Sequence, residues 1–323
     1  MKKWDVFVYG DVNIDLVVPG VERFPRPGEE DEVAAMETFV GGGAALFTLG
    51  VARLGLRAVF QGSVGADFYG DYIREVFKET GVDDMLLDTD RARKTGISIS
   101  FTNEKDRCFL TYRGTNKGQA LRNLALDEAK KARHVHVTGY AGRANHMQYL
   151  DMMTKIKRLQ DMTLSFDVGW DPENEWYEGI EELFPLIDVL FMNETECLNY
   201  ARRDTVREAA ARFAEKAGMV VIKCGSRGAM AVRGGKCYAA EGYPVQVLDT
   251  TGAGDSFNAG FIYGYLNRLS MEDCLKCGNG CGALSVTRLG GNAGFPDEET
   301  LKRWIAAHAN GCAGVRKRKA GGP

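Results

Sequence analysis

The residues best able to do chemistry lie in one run, Asp249-Thr250-Thr251-Gly252-Ala253-Gly254-Asp255-Ser256-Phe257-Asn258-Ala259-Gly260-Phe261-Ile262. Small residues end an apolar strand expected at Val245 and Val247, a carboxylate follows, and Phe257, Phe261, Ile262 and Tyr265 then share one side of a helix. A helix N-terminus presents unpaired N–H groups and the positive end of its dipole, so the amides of Gly252, Ala253 and Gly254 could hold a phosphate closely. Asp255 beside them could take a proton from a hydroxyl whose oxygen attacks phosphorus, or could simply cap the helix.

Two other clusters have chemical potential. Asn193-Glu194-Thr195-Glu196 follows the apolar run Val189–Met192 and opens a helix, which puts its side chains at the carboxyl end of a strand, where α/β sheets bind ligands. The same spacing makes a capping box of Asn193 and Glu196, and the two roles are compatible. Asp11-Val12-Asn13-Ile14-Asp15 follows the first strand; alternation points Asn13 and Asp15 the same way, either as acceptors and an amide for hydroxyl groups or as a polar turn.

The run from Asp249 to Ile262 resembles, at every defined position, the C-terminal signature of the ribokinase-like (PfkB) carbohydrate kinases. Gly41-Gly42-Gly43-Ala44-Ala45-Leu46, continuing through Ala52-Arg53-Leu54-Gly55 to Gly65-Ala66-Asp67-Phe68-Tyr69-Gly70, is similar to the family's N-terminal signature, about 200 residues earlier. The resemblance covers Val6 to about Pro296 and implies a three-layer α/β/α fold with a mostly parallel central sheet and a small β-sheet lid. It implies ATP-dependent phosphorylation of a primary hydroxyl on a small sugar or sugar-like substrate, with Asp255 as base and the amides of Gly252, Ala253 and Gly254 steadying the phosphoryl group. By the same resemblance Asn13, Asp15, Gly41, Gly42 and Gly43 bind the sugar, and Asn193 and Glu196 orient Mg²⁺, through waters, and the ATP phosphates. Lys223-Cys224-Gly225-Ser226-Arg227-Gly228 resembles the nucleotide-site loop, Asn279 lies in a helix similar to the adenosine wall, and Asp249 occupies a position where relatives hold a monovalent cation such as K⁺.

One departure bears on substrate. The family's N-terminal signature has Asn where this chain has Leu46, and an isobutyl group cannot recognise a hydroxyl, so the substrate is expected to be less hydroxylated there or to place an apolar part against Leu46. Arg113 and Arg143 could meet an anionic substituent, whereas Phe166-Asp167-Val168-Gly169-Trp170-Asp171-Pro172 lacks the arginine that 2-keto-3-deoxygluconate kinases carry in the similar place. Trp170 could stack on a ring or be buried. A nucleoside kinase, with Phe101 and Tyr112 stacking on a base, and a sugar-binding regulator with weak catalysis are the other readings.

These groups need a scaffold. Strands are expected at Val6–Gly10, Ala58–Val64, Val135–Thr138, Thr163–Asp167, Val189–Met192, Met219–Lys223 and Ala229–Val232. Helices are expected at Leu46–Leu54, Tyr69–Thr80, His146–Gln160, Val206–Ala217, Gly254–Leu266 and from about Met271 to Val286. That alternation is the mark of a parallel sheet covered on both faces. Residues about 12–40 and 96–114 show strand-like alternation without helices and would form the lid, inserted in a single kinase domain over 1–310 and followed by a basic tail, 311–323.

At 45% apolar residues and a net charge of −3, nothing points to nucleic acid or an anionic membrane, and no apolar run is long enough to span one. Eight cysteines lack the spacing of a secreted framework, so a reduced, cytoplasmic protein is expected. Cys274, Cys277 and Cys281 could hold a metal but fit better as the small, buried face of a helix, and His134 and His136 would face together at a sheet edge. An exposed lid edge would favour a homodimer.

Overall fold

Apolar runs buried on both sides require helices on both faces of a parallel sheet. The computed structural model, which describes residues 2–102, 107–117, 123–171 and 173–309, has that arrangement. The expected tail at 311–323 lies outside the described residues. The strands are β1 (Trp4–Tyr9), β2 (Asn13–Pro19), β3 (Glu37–Gly41), β4 (Ala58–Gly65), β5 (Asp83–Asp90), β6 (Gly96–Thr102), β7 (Arg107–Tyr112), β8 (Ala132–Thr138), β9 (Thr163–Asp167), β10 (Val189–Asn193), β11 (Val220–Lys223), β12 (Ala229–Arg233) and β13 (Lys236–Ala240). The helices are α1 (Gly43–Arg53), α2 (Phe68–Thr80), α3 (Leu126–Ala129), α4 (His146–Lys157), α5 (Glu194–Ala201), α6 (Val206–Ala214), α7 (Ala253–Leu266), α8 (Met271–Ser285) and α9 (Glu298–Ala309).

The main sheet runs β13-β12-β11-β10-β9-β8-β1-β4-β5, parallel from β11 to β5 and antiparallel at β12 and β13. Alternate residues feed two cores: Val6, Val8, Val189 and Phe191 pack under α1, α7 and α8, while Phe7, Tyr9, Leu190 and Met192 pack under α4, α5 and α6. A second sheet, β3-β2-β6-β7, is the expected lid, and it hangs from β1 through residues 10–12. Its base is tied down by Asp67, which caps α2 at Gly70 N and accepts from the Thr95 amide and hydroxyl just before β6.

Several expectations change. The strand at Val245 and Val247 is not formed: residues 241–247 are irregular, Pro244 has no N–H to give a ladder, and Val247 is exposed. His134 and His136 are not at an edge but in β8, between β1 and β9, and fully buried. Ser165 Oγ bridges them, at 2.6 Å to His134 Nε2 and 2.7 Å to His136 Nδ1, and Thr163 and Thr138 close the two ends of the chain. The expected lid segment 12–40 holds strands only at its two ends, and β5 and β13 add edges with little apolar signal. The faces of Cys274, Cys277 and Cys281 pack on glycines of α7: side chains at Gly260 or Gly264 would collide with them.

Candidate active site

The glycine at 252 has φ 70°, a left-handed turn that lets the chain reverse into α7. The first intrahelical bond runs from Ser256 N to Gly252 O, so the amides of Gly254 and Asp255 lie ahead of it at the positive end of the helix, whereas the Ala253 amide, expected to face a phosphate, donates to Thr250 O at 3.3 Å. A side chain on Gly252 would strike the Gly291 carbonyl oxygen at 2.5 Å, and one on Gly254 would meet Lys223 Nζ at 3.3 Å. The turn is therefore small-residue backbone with an ammonium beneath it.

On one side of this turn lies a cleft of about 530 Å³. The sequence-predicted residues Lys223, Gly225, Ser226, Gly228 and Asn279 line it together with Ala253 and Gly254, so the loop at 223–228 and the turn open onto one space. Sequence reasoning missed its outer wall, Tyr243 to Val247, because that wall is irregular chain. Asn279 reaches the wall differently from expectation: its amide donates to the carbonyls of Ala240 and Glu241 at 3.0 and 3.1 Å, which leaves no donor for a ribose or base.

On the other side stand the sugar candidates. Asn13 and Asp15 do face together, Asn13 Nδ2 donating to Asp15 Oδ1 at 2.8 Å, and the Asp15 carboxylate lies over Gly41, where any side chain would collide with it. Gly42, at φ 92°, passes against Asp11 O. The Gly43 amide is not available to a sugar, because with Ala44 N it donates to Asp11, which caps α1. Burial raises Asp11, and the two amides and the nearby Arg113 pull it back down. Arg113 is exposed at the end of β7; Arg143 is exposed, within 3.8 Å of Glu175 and against the Tyr177 ring. Trp170 is exposed, edge-on to Trp176. Asn116, which no sequence signal marked, holds Val12 through both its amide atoms.

Asp255 sits where the two sides meet. A methyl group on Gly43 would lie 3.2 Å from Asp255 Oδ1. Burial raises the Asp255 carboxyl well above its ordinary range, Asp167 adds to this, Lys223 opposes it, and Asp11 and Asp15 raise it further. Burial likewise raises Asp15 to about 6.

Leu46 is committed to packing. It is buried, and its methyl groups lie 3.0 Å from where side chains at Gly252 and Gly291 would begin, so it packs the anion turn against the loop after α8. Asp249 joins the same two loops: Oδ1 accepts from the Thr251 amide and hydroxyl, Oδ2 from Gly290 N. Asn193 and Glu196 form the full capping box of α5, with both Glu196 oxygens bonded to Asn193. Burial raises Glu196 to about 7, with Asp167 adding and Lys223 opposing.

The family described as pfkB family carbohydrate kinase matches residues 3–298. A 5-dehydro-2-deoxygluconokinase of Listeria monocytogenes serotype 4a (strain HCC23) is 28% identical over 94% of this chain and 97% of its own length. A ribokinase of Haemophilus influenzae is 26% identical over 91% of this chain and 96% of its own. The structure of Arabidopsis thaliana ribokinase complexed with ribose and ATP superposes with a TM-score of 0.82 at 25% identity, covering 94% of this chain and 98% of that one. With the two-sheet fold, the anion turn and the family match spanning nearly all the described residues, this chain belongs to the pfkB family of carbohydrate kinases.

Proposed function

We propose that the protein transfers the terminal phosphoryl group of ATP to a primary hydroxyl of a small sugar or sugar-like molecule held under the lid. The observation that carries this is the position of Asp255, between the cleft lined by Gly254 and the group formed by Asn13, Asp15 and Gly41–Gly43. The acceptor oxygen forms its bond to phosphorus as the bond to the bridging oxygen of ADP breaks, and its proton passes to the Asp255 carboxylate. The Gly254 and Asp255 amides and the Lys223 ammonium face the oxygens of the group in transit.

Mg²⁺ fits the residues present. Asp167 Oδ1 and Asn258 Oδ1 are buried acceptors without a hydrogen-bond partner among the described residues, suited to the donor waters of a hydrated ion. Asn193 and Glu196, locked to each other, would support that water shell from beside it. When bound, the ion screens the phosphate charge. A monovalent cation such as K⁺ would sit at the junction that Asp249 makes between its two loops.

For the acceptor we favour a partly deoxygenated sugar or sugar acid. Arg113 supplies a cation near Asp11, and relatives named for a 2-deoxygluconate derivative agree in chemistry. Phe109, Leu110 and Tyr112 are exposed on β7, an edge strand that a second copy's lid would cover in a homodimer. We place the enzyme in the cytoplasm on its cysteine pattern, which makes helix faces rather than a cross-linking frame.

The test is ADP formation with Mg²⁺ and K⁺ across ketoses, aldoses, sugar acids, sugar phosphates and nucleosides, beside Asp255→Asn. Turnover with one acceptor class that disappears in the variant supports the reading. Acceptor-dependent turnover that survives Asp255→Asn overturns the assignment of the base, and a preference for nucleosides replaces the sugar.

A further inference from the structure

Asp167 ends β9 and was marked in the sequence only as part of a stretch lacking an arginine, yet the deepest ion pair of the site is built on it. Lys223 Nζ donates to Asp167 Oδ2 at 2.6 Å, and both side chains are largely buried. Asn258 Nδ2 donates to the same oxygen from α7, one turn beyond Asp255, and is itself fully inaccessible. Two donors from different elements thus converge on one carboxylate oxygen, which fixes the carboxylate in rotation and sets where the ammonium stands. It stands under the anion turn, since the first atom of any side chain on Gly254 would meet Nζ at 3.3 Å.

Electrostatics give the arrangement a purpose. Asp11, Asp15 and Asp167 all act on Asp255, Asp167 acts on Glu196 as well, and Lys223 is the cation that opposes them at both carboxyls. Burial alone lowers Lys223; Asp167, then Glu196, outweigh it, so the ammonium is held above its ordinary range. An ammonium has three protons, and one of them goes to Asp167, so the group can hold its anchor and still meet a phosphoryl oxygen.

We infer that Asp167, locked by Asn258, is a positioning residue that holds the Lys223 ammonium beneath Gly254, where it takes up charge from the phosphoryl group in transit. The inference rests on the kinase reading and adds to it a residue pair that acts as one unit.

The experiment is a double-mutant cycle with Lys223→Met, Asp167→Asn and both together, scored by kcat, the acceptor KM, the pH profile and the Kd of ATP against that of AMP. Lys223→Met should lower kcat by about 10²–10³-fold with little change in acceptor KM, and should move the acidic limb of the profile upward, because Lys223 holds Asp255 down. Asp167→Asn should also lower kcat yet move the limb downward, since an anion near Asp255 is removed. The double variant should lose clearly less than the product of the two single losses, the excess over Lys223→Met being what Asp167 Oδ1 does apart from the ammonium. Additive losses, or melting temperatures that fall in step with kcat while the pH limb stays put, mean a merely structural pair and overturn the inference. If the wild-type protein turns over no acceptor, the kinase reading fails separately, and the pair is still judged by binding: Lys223→Met must weaken ATP at least about 10-fold more than AMP, an order expected for a charged contact.

Discussion

Asp255 and Gly43 face each other so closely that the first carbon of any side chain at 43 would lie 3.2 Å from Asp255 Oδ1 and 2.8 Å from Thr138 Cγ2. The glycine of one signature and the carboxylate of the other are thus two walls of a single space, although about 200 residues separate them.

Gly43→Ala is therefore expected to crowd the acceptor rather than the nucleotide. The kcat/KM for the acceptor should drop at least ~10-fold while the KM for ATP stays within about 2-fold, since small misplacements at the reacting centre are costly. Steady-state kinetics varying each substrate in turn will show which side the methyl group obstructs.

Leu46→Asn restores the residue type of the family signature but should not restore a sugar contact. Leu46 is packed on Gly252 and Gly291, so the variant should lose roughly 2–4 kcal/mol of stability and lower kcat by loosening the anion turn. Denaturant unfolding together with the acceptor panel decides; a stable variant that gains a hydroxyl-rich acceptor contradicts the packing role.

Asn279→Ala removes two hydrogen bonds to the carbonyls of Ala240 and Glu241. The wall of the nucleotide cleft then loosens, and the KM for ATP should rise roughly 5- to 10-fold, about 1 kcal/mol, with the acceptor KM unchanged. Equal effects with ATP and with a triphosphate of another base will separate wall support from base recognition.

Asp15 sets a pH dependence of stability. Its folded pKa, raised to about 6 by burial first and by Asp11 and Asp249 after that, lies above the ordinary value near 3.8. The folded protein thus holds this proton more tightly than the unfolded chain, and the contribution is complete below about pH 4 and lost as pH rises through 6. Asp15→Asn should gain stability relative to wild type by on the order of 2 kcal/mol between pH 4 and 7.5; urea melts at both values, without ligand, would give a constant difference if Asp15 titrates normally.

Much of this was legible in the sequence where local pattern and chemistry coincide. The turn at Gly252–Asp255 is written in small residues before an apolar helix, and the strands from β8 to β12 in apolar runs bounded by turns. Asp167 and Asn258 were not legible as a pair, because they meet Lys223 only through the fold, Asp167 lying 56 residues from Lys223 and 91 from Asn258. The opposite failure occurred at Val245 and Val247, apolar residues that alternate like a strand but cover a cleft without a ladder partner, and at β5, whose four aspartates hid an edge strand. Leu46 could be recognised as a departure, but only the fold shows that it packs on two glycines.

The buried histidine chain has an analytical consequence. His134 and His136 are enclosed and hydrogen-bonded at both ring nitrogens, and burial, reinforced for His136 by Lys223, keeps both neutral, His136 down to about 3. A histidine-directed acylating reagent can therefore reach neither ring in the folded protein. Ionisations seen in the kinetics between pH 5 and 7 therefore belong to neither of these two rings, although both lie in the central sheet.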